Sequence, residues 1–143
     1  MRFHHIGYAV ANIEDYLEQV LRPLFQPVSV TSPVADPIQK VRVCFAQMEG
    51  GTVIELVEGL TPDSPVASIV GSRRGGLYHL CYEIDDLDAT ITRFRSQRFL
   101  PLGRPVPAAA FDGRRIVFMI SPQRDLIEFV ESAATSVTAP PGK

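Results

Sequence analysis

The chain has 143 residues, of which 45% are hydrophobic and 21% charged, with a formal net charge of −2. This weakly acidic balance leaves no basic footprint for nucleic acid, the apolar content excludes a disordered chain, and no apolar run is long enough to cross a bilayer. The length suits one domain, or two small modules that share a core.

Phe3 to Val10 is rich in β-formers and leads into Ala11-Asn12. Ile13, Tyr16, Leu17, Val20 and Leu21 then recur at helical spacing until Pro23, where the helix is expected to stop. Asn12 is placed to cap that helix, with Glu14 and Asp15 complementing the dipole in its first turn. Pro23 to Pro37 reads as irregular, with room for a short strand over Val28 to Thr31 and a loop forced by Pro33 and Asp36-Pro37. Gln39 to Gln47 alternates as a strand, Glu49-Gly50-Gly51 makes a hairpin turn, and Thr52 to Glu58 is the next strand. Thr61 to Pro65 is a turn whose Asp63 and Ser64 are expected to cap a short helix over Val66 to Val70, before a loop from Gly71 to Gly76.

The plan then repeats. A strand from Leu77 to Ile84 is followed by an N-cap region at Asp85-Asp86 and a helix carrying Leu87, Ile91 and Phe94 to about Arg98. Phe99 to Gly103, Arg114 to Ile120 and Asp125 to Glu131 supply three further strands. The expected class is α+β: two tandem βαβββ modules forming a curved mixed β-sheet around a central cleft. One domain is expected over 1–135, with module one at about 2–60, a linker at 61–76, module two at about 77–131 and a loose tail at 132–143. Met1 to His5 lacks an apolar h-region, and Cys44 and Cys81 lie in apolar strands without CxxC spacing. They read as reduced core thiols, and the expectation is a cytoplasmic protein with no membrane partner.

The duplication is visible in the residues themselves. His5-Ile6-Gly7-Tyr8-Ala9-Val10 matches His79-Leu80-Cys81-Tyr82-Glu83-Ile84 at an offset of 74, and Ile54-Glu55-Leu56 matches Ile127-Glu128-Phe129 at an offset of 73. Each Glu sits between apolar neighbours in a strand and therefore projects from the opposite face, toward solvent or a cavity. Either His alone reads as structural. Two matched pairs imply that His5, Glu55, His79 and Glu128 converge across a pseudo-twofold axis as an N2O2 set, suited to one divalent ion such as Zn, Ni, Co or Mn. His4 matches Tyr78 and is left as a neighbour of that set. Glu58 and Glu131 fall on the other face and are assigned to solvent or an interface.

Together with Gln39-Lys40-Val41-Arg42-Val43-Cys44-Phe45 and Asp63-Ser64-Pro65, these motifs resemble the vicinal oxygen chelate superfamily (glyoxalase/bleomycin resistance), and within it methylmalonyl-CoA epimerase-like proteins. The resemblance runs from about Phe3 to Glu131. It implies a metal-dependent isomerase or epimerase, a small-molecule substrate such as an acyl-CoA, and a homodimer. It implies metal binding by His5, Glu55, His79 and Glu128, with Glu128 as the main general base and Glu55 as ligand or opposite-face acid/base. Gln39 and Ser64 are substrate contacts by the same resemblance, and Arg114 or Arg115 is suited to an anionic substrate group. The hairpin Ile120 to Asp125 is shorter than the usual epimerase loop before the last Glu, so the chemistry is implied more closely than the substrate. A glyoxalase I-type lyase, a tailoring enzyme on another metabolite and a non-catalytic antibiotic-binding protein are the alternatives.

Overall fold

The structure is a computed structural model that describes residues 1–133. Strand β1 (Arg2–Val10) leads into α1 (Ile13–Tyr16), where the Asn12 side chain accepts the Asp15 N–H at 2.9 Å. The helix does not stop at Pro23. It widens into a π-helical segment, Leu17–Phe25, with Pro23 inside it, and the Gln26 N–H closes on the Leu21 carbonyl at 2.8 Å. The wider turn moves the carbonyl that a proline ring would strike in an α-helix, so the expected stop is corrected to a change of helical register.

Two short strands, β2 (Ser29–Val30) and β3 (Val34–Asp36), both pair with β4 (Val41–Gln47), which turns into β5 (Val53–Gly59). The expected loop at Asp36 is thus the end of an edge strand interrupted near Pro33. Helix α2 (Ala67–Arg73) is longer than the predicted segment and begins without a side-chain cap. Asp63 instead bonds Thr61 and Lys40, and it is the Ser64 carbonyl that accepts the Ala67 N–H.

The expected loop at Gly71 to Gly76 is also corrected, because β6 (Gly75–Ile84) already begins at its glycines. Gly75 has φ of +133°, and a Cβ there would strike the Ala9 carbonyl oxygen. Only glycine lets this end of β6 lie against β1. The second half continues through α3 (Leu87–Ser96), capped by Asp86, then β7 (Leu100–Pro101), β8 (Val106–Pro107), a 3-10 turn at Ala109–Phe111, β9 (Arg115–Ile120) and β10 (Leu126–Glu131). Most of the tail expected over 132–143 lies outside the described residues.

All ten strands form one mixed sheet in the order β2-β4-β5-β1-β6-β10-β9-β7, with β3 also on β4 and β8 also on β9. β1 is parallel to β5 and β6 is parallel to β10, while β1 and β6 join the halves antiparallel. In that central pairing Ile6 faces Leu80, its own repeat equivalent, so the pseudo-twofold axis passes between them.

The π-helical segment and α1 bury Ile13, Leu17 and Leu21 on Cys44, Ala46 and Leu56, and α3 buries Leu87 on Val117, Met119 and Phe129. The other sheet face is filled by Val41, Val43 and Val57 in one half and by Cys81, Ile116 and Val130 with Phe111 in the other. Burial of these side chains stabilises the sheet by ~1.5–3 kcal/mol for each large apolar residue before chain entropy is counted. It leaves a cleft on the inner face across the axis.

Candidate metal centre

Sheet register builds the centre. Phe45, Glu55, Gly7 and His79 lie side by side on β4, β5, β1 and β6, and their equivalents Phe118, Glu128, Cys81 and His5 form the neighbouring row on β9, β10, β6 and β1. Cross-strand neighbours share a face, so both rows turn their side chains into the cleft. Shifts of register at His4 and at Tyr78 place one bulge residue beside each histidine. Such bulges re-aim side chains near sites, and here both bring a second aromatic ring onto the inner face.

His5, Glu55, His79 and Glu128 are all buried. His5 Nε2 lies 2.6 Å from Glu55 Oε2, 3.3 Å from Glu128 Oε2 and 3.0 Å from His79 Nε2. His79 Nε2 is 2.9 Å from Glu128 Oε2 and 3.9 Å from Glu55 Oε2. One donor atom from each residue lies within 4.8 Å of every other. The contacts are close, yet Oε2 of both glutamates lacks a properly aligned hydrogen bond among the described residues.

That pattern fits a cation. Ligands at ~2.0–2.2 Å around one ion stand roughly 3–4 Å from each other, and of these contacts only His5 with Glu55, at 2.6 Å, is clearly shorter. Two buried carboxylates this close repel strongly, and a divalent charge between them removes the repulsion. Burial alone would depress the His5 pKa, but Glu55 first and then Glu128 outweigh it and raise it to about 9. Burial would likewise raise Glu128, yet His79 and His5 hold it well below the usual carboxylate range. The cluster is therefore electrostatically complementary even with protons in place of an ion.

The other predicted residues divide. Gln39 lines the cleft with Val41, Val57, Pro65, Tyr78, Leu102 and Phe118 around Glu55 and His79, enclosing about 310 Å³. Its side-chain amide donates to buried Asp36 at 2.7 Å. Ser64 does not line this cleft: its hydroxyl is buried against Gly59, on the side of β5 nearer α2. Arg114 is also elsewhere. Its guanidinium donates to Glu83 and to the Glu131 carbonyl, both at 3.0 Å, and lies over the Phe111 ring.

Arg115 pairs with Glu131 and Asp88. Carboxylates from β6, α3 and β10, all in the second half, thus satisfy both arginines. Glu58 and Glu131 do point away from the cleft, but they serve the fold: Glu58 accepts from the Ile13 N–H and from Arg42. Sequence reasoning missed Gly7. Its one visible signal is that the repeat has Cys81 where the first copy has glycine.

This fold and cleft agree with comparisons to known proteins. The family model of the Glyoxalase/Bleomycin resistance protein/Dioxygenase superfamily matches residues 4–118, and the chain belongs to that superfamily. It is 29% identical over 119 residues to human mitochondrial methylmalonyl-CoA epimerase, covering 82% of this chain and 65% of that protein. The ethylmalonyl-CoA/methylmalonyl-CoA epimerase of Cereibacter sphaeroides is also 29% identical over 119 residues, covering 82% of this chain and 87% of its own. Among solved structures, methylmalonyl-CoA epimerase from Mycobacterium tuberculosis superposes with a TM-score of 0.79 at 26% identity, over 96% of this chain and 92% of that one.

Proposed function

We propose that this chain is a metal-dependent epimerase that moves a proton at the carbon between the thioester and the carboxylate of a small malonyl-type acyl-CoA. The observation that carries this reading is the convergence of two imidazoles and two carboxylates, related by the pseudo-twofold axis, at one end of a small apolar cleft. A divalent ion held by His5, Glu55, His79 and Glu128 would supply Lewis-acid stabilisation of negative charge on a substrate oxygen. Zn, Ni, Co and Mn all accept such an N2O2 set.

Inverting a carbon centre needs a base on one face and an acid on the other. Glu55 and Glu128 come from opposite halves of the sheet, which supports one carboxylate serving each face. Glu128, held ionised at neutral pH, accepts the proton, while Glu55, entering the turnover with a proton, returns it from the other side, so that each turnover leaves the proton on the opposite carboxylate. Val41, Val57, Pro65, Leu102 and Phe118 exclude water around the reacting carbon, which strengthens every charge interaction there. Gln39 stands at the same wall, where its amide is positioned to contact the acyl group. A cleft of this size takes the acyl end of the thioester, and the nucleotide portion lies outside it. Human methylmalonyl-CoA epimerase and its relatives support this substrate class by name. The reading includes a single catalytic domain over 1–135, a homodimer, and a cytoplasmic setting consistent with two free, buried cysteines.

The test is exchange of the α-proton of methylmalonyl-CoA in deuterated water, run beside a hemithioacetal substrate for lyase activity. Glu128→Gln and Glu55→Gln are each expected to slow exchange by at least roughly a hundredfold. Metal-loaded protein that exchanges no proton on the acyl-CoA, but isomerises the hemithioacetal, would refute the epimerase reading in favour of the lyase.

A further inference from the structure

The two histidines at the centre are not held alike. His5 Nε2 points to the carboxylates, so its remaining nitrogen, Nδ1, faces away from the cluster and lies 2.8 Å from Nδ1 of His4. His79 Nε2 also points to the cluster, but its Nδ1 has no hydrogen-bond partner among the described residues. Where the first copy has His4, the second has Tyr78, whose ring packs edge-on against His79 with centroids 4.9 Å apart. The duplication preserved the bulge on both sides, and only the first copy put a hydrogen-bonding ring nitrogen in it.

Proton placement at this pair is decided by elimination. A nitrogen that offers its lone pair to a cation carries no proton, so a liganding His5 must carry its proton on Nδ1. Only 2.8 Å separates that nitrogen from His4 Nδ1, so one of the two must donate and the other accept. With His5 the donor, His4 accepts and keeps its own proton on Nε2. The His4 ring is fixed for that task by edge-on contacts with Phe111 at 5.3 Å and Phe45 at 6.1 Å.

We infer that His4 is a positioning residue that accepts the His5 Nδ1–H, fixing both the tautomer and the ring plane of His5 for metal binding. The inference deepens the metal-centre reading above and rests on it. Outer-sphere acceptors of this kind raise ligand basicity, and losing one costs about ten- to a hundredfold in metal affinity. Among the described residues His79 has no such acceptor, so the pseudo-symmetric centre is asymmetric in its support, with the more rigid ligand in the first half.

The experiment is titration of metal-free protein with Co2+, followed by its visible absorption and by competition with a chelator, in three forms: wild type, His4→Phe and His4→Asn. Phenylalanine keeps the ring and removes the acceptor, whereas asparagine places an oxygen near the position of Nδ1. His4→Phe is expected to weaken Co2+ binding by ten- to a hundredfold and His4→Asn to recover most of the loss. Nitrogen-15 NMR of the proteins loaded with diamagnetic Zn2+ is expected to show a proton on His5 Nδ1 in wild type, shifted downfield by its hydrogen bond, and loss of that shift in His4→Phe.

Equal Co2+ affinity in wild type and His4→Phe would overturn the inference while leaving the metal centre standing. Equal weakness of both variants would also overturn it, since packing rather than an acceptor would then be what His4 supplies. A sulfur-to-cobalt charge-transfer band would place the ion on His4, His5 and Cys81, the second group close enough to ligate, and would overturn it too. A wild-type protein that takes up no Co2+ would refute the metal centre itself, and the inference with it.

Discussion

Gly7→Ala should damage the metal centre although residue 7 ligates nothing. A Cβ built at Gly7 lands on the His79 imidazole, touching Cε1 and Nδ1 and reaching Nε2 at 2.6 Å. Ordinary carbon–nitrogen contact begins near ~3.4 Å, so the ring must withdraw by roughly an ångström. It has little room, since His79 is buried with Phe118 at 5.2 Å and His5 at 5.1 Å between ring centroids. Metal–ligand distances tolerate only about ±0.2 Å, so a shift of this size removes His79 from the set or drags β6 with it.

Overpacking of this kind costs ~1–3 kcal/mol. That exceeds the gain of ~0.4–1 kcal/mol that alanine normally brings over glycine by restricting the unfolded chain. The expected result is a lower melting temperature and at least a tenfold weaker metal affinity by chelator competition. Cys81→Ala, at the equivalent position of the second half, removes atoms instead of adding them and is the control expected to keep its affinity within a few-fold. Gly7→Ala protein with wild-type melting and metal affinity would refute the claim that His79 occupies the space above Gly7.

Chelation of metal from loaded protein should lower the melting temperature, because an ion at a hundred times its dissociation constant contributes about 2.7 kcal/mol that its removal takes away. Arg42 bridges Glu14 and Glu58 while Glu58 holds the Ile13 N–H, so Arg42→Ala should cost about 1 kcal/mol in denaturant melts and leave proton exchange unchanged. Burial pushes the Cys44 thiol up to about 11 and raises Cys81 further. A thiol reagent at pH 8 should therefore label neither cysteine in native protein and both after denaturation. Arg114→Ala should lower thermal stability, through loss of its bonds to Glu83 and the Glu131 carbonyl, without changing the substrate KM.

The duplicated pattern alone determined much of this protein. Strand period set the faces of Glu55 and Glu128, offsets of 74 and 73 paired His5 with His79 and Glu55 with Glu128, and Asn12 and Asp86 capped their helices as their side-chain chemistry dictates. These features are local or repeat-related, so they can be read one segment at a time. Tertiary structure decided what depends on distant neighbours. Pro23 read locally as a stop, but the packing of Leu17 and Leu21 on the sheet favoured a widened helix over a broken one. Gly75 and Gly76 read as a loop, yet the backbone of β1 beside them made their freedom a means of extending β6. Arg114 and Ser64 looked available to a substrate until Glu83, Phe111 and Gly59 were brought against them. Whether Gly7 is a vacancy or a requirement depends on His79, a residue 72 positions away in the sequence that only the antiparallel pairing of β1 with β6 brings opposite it.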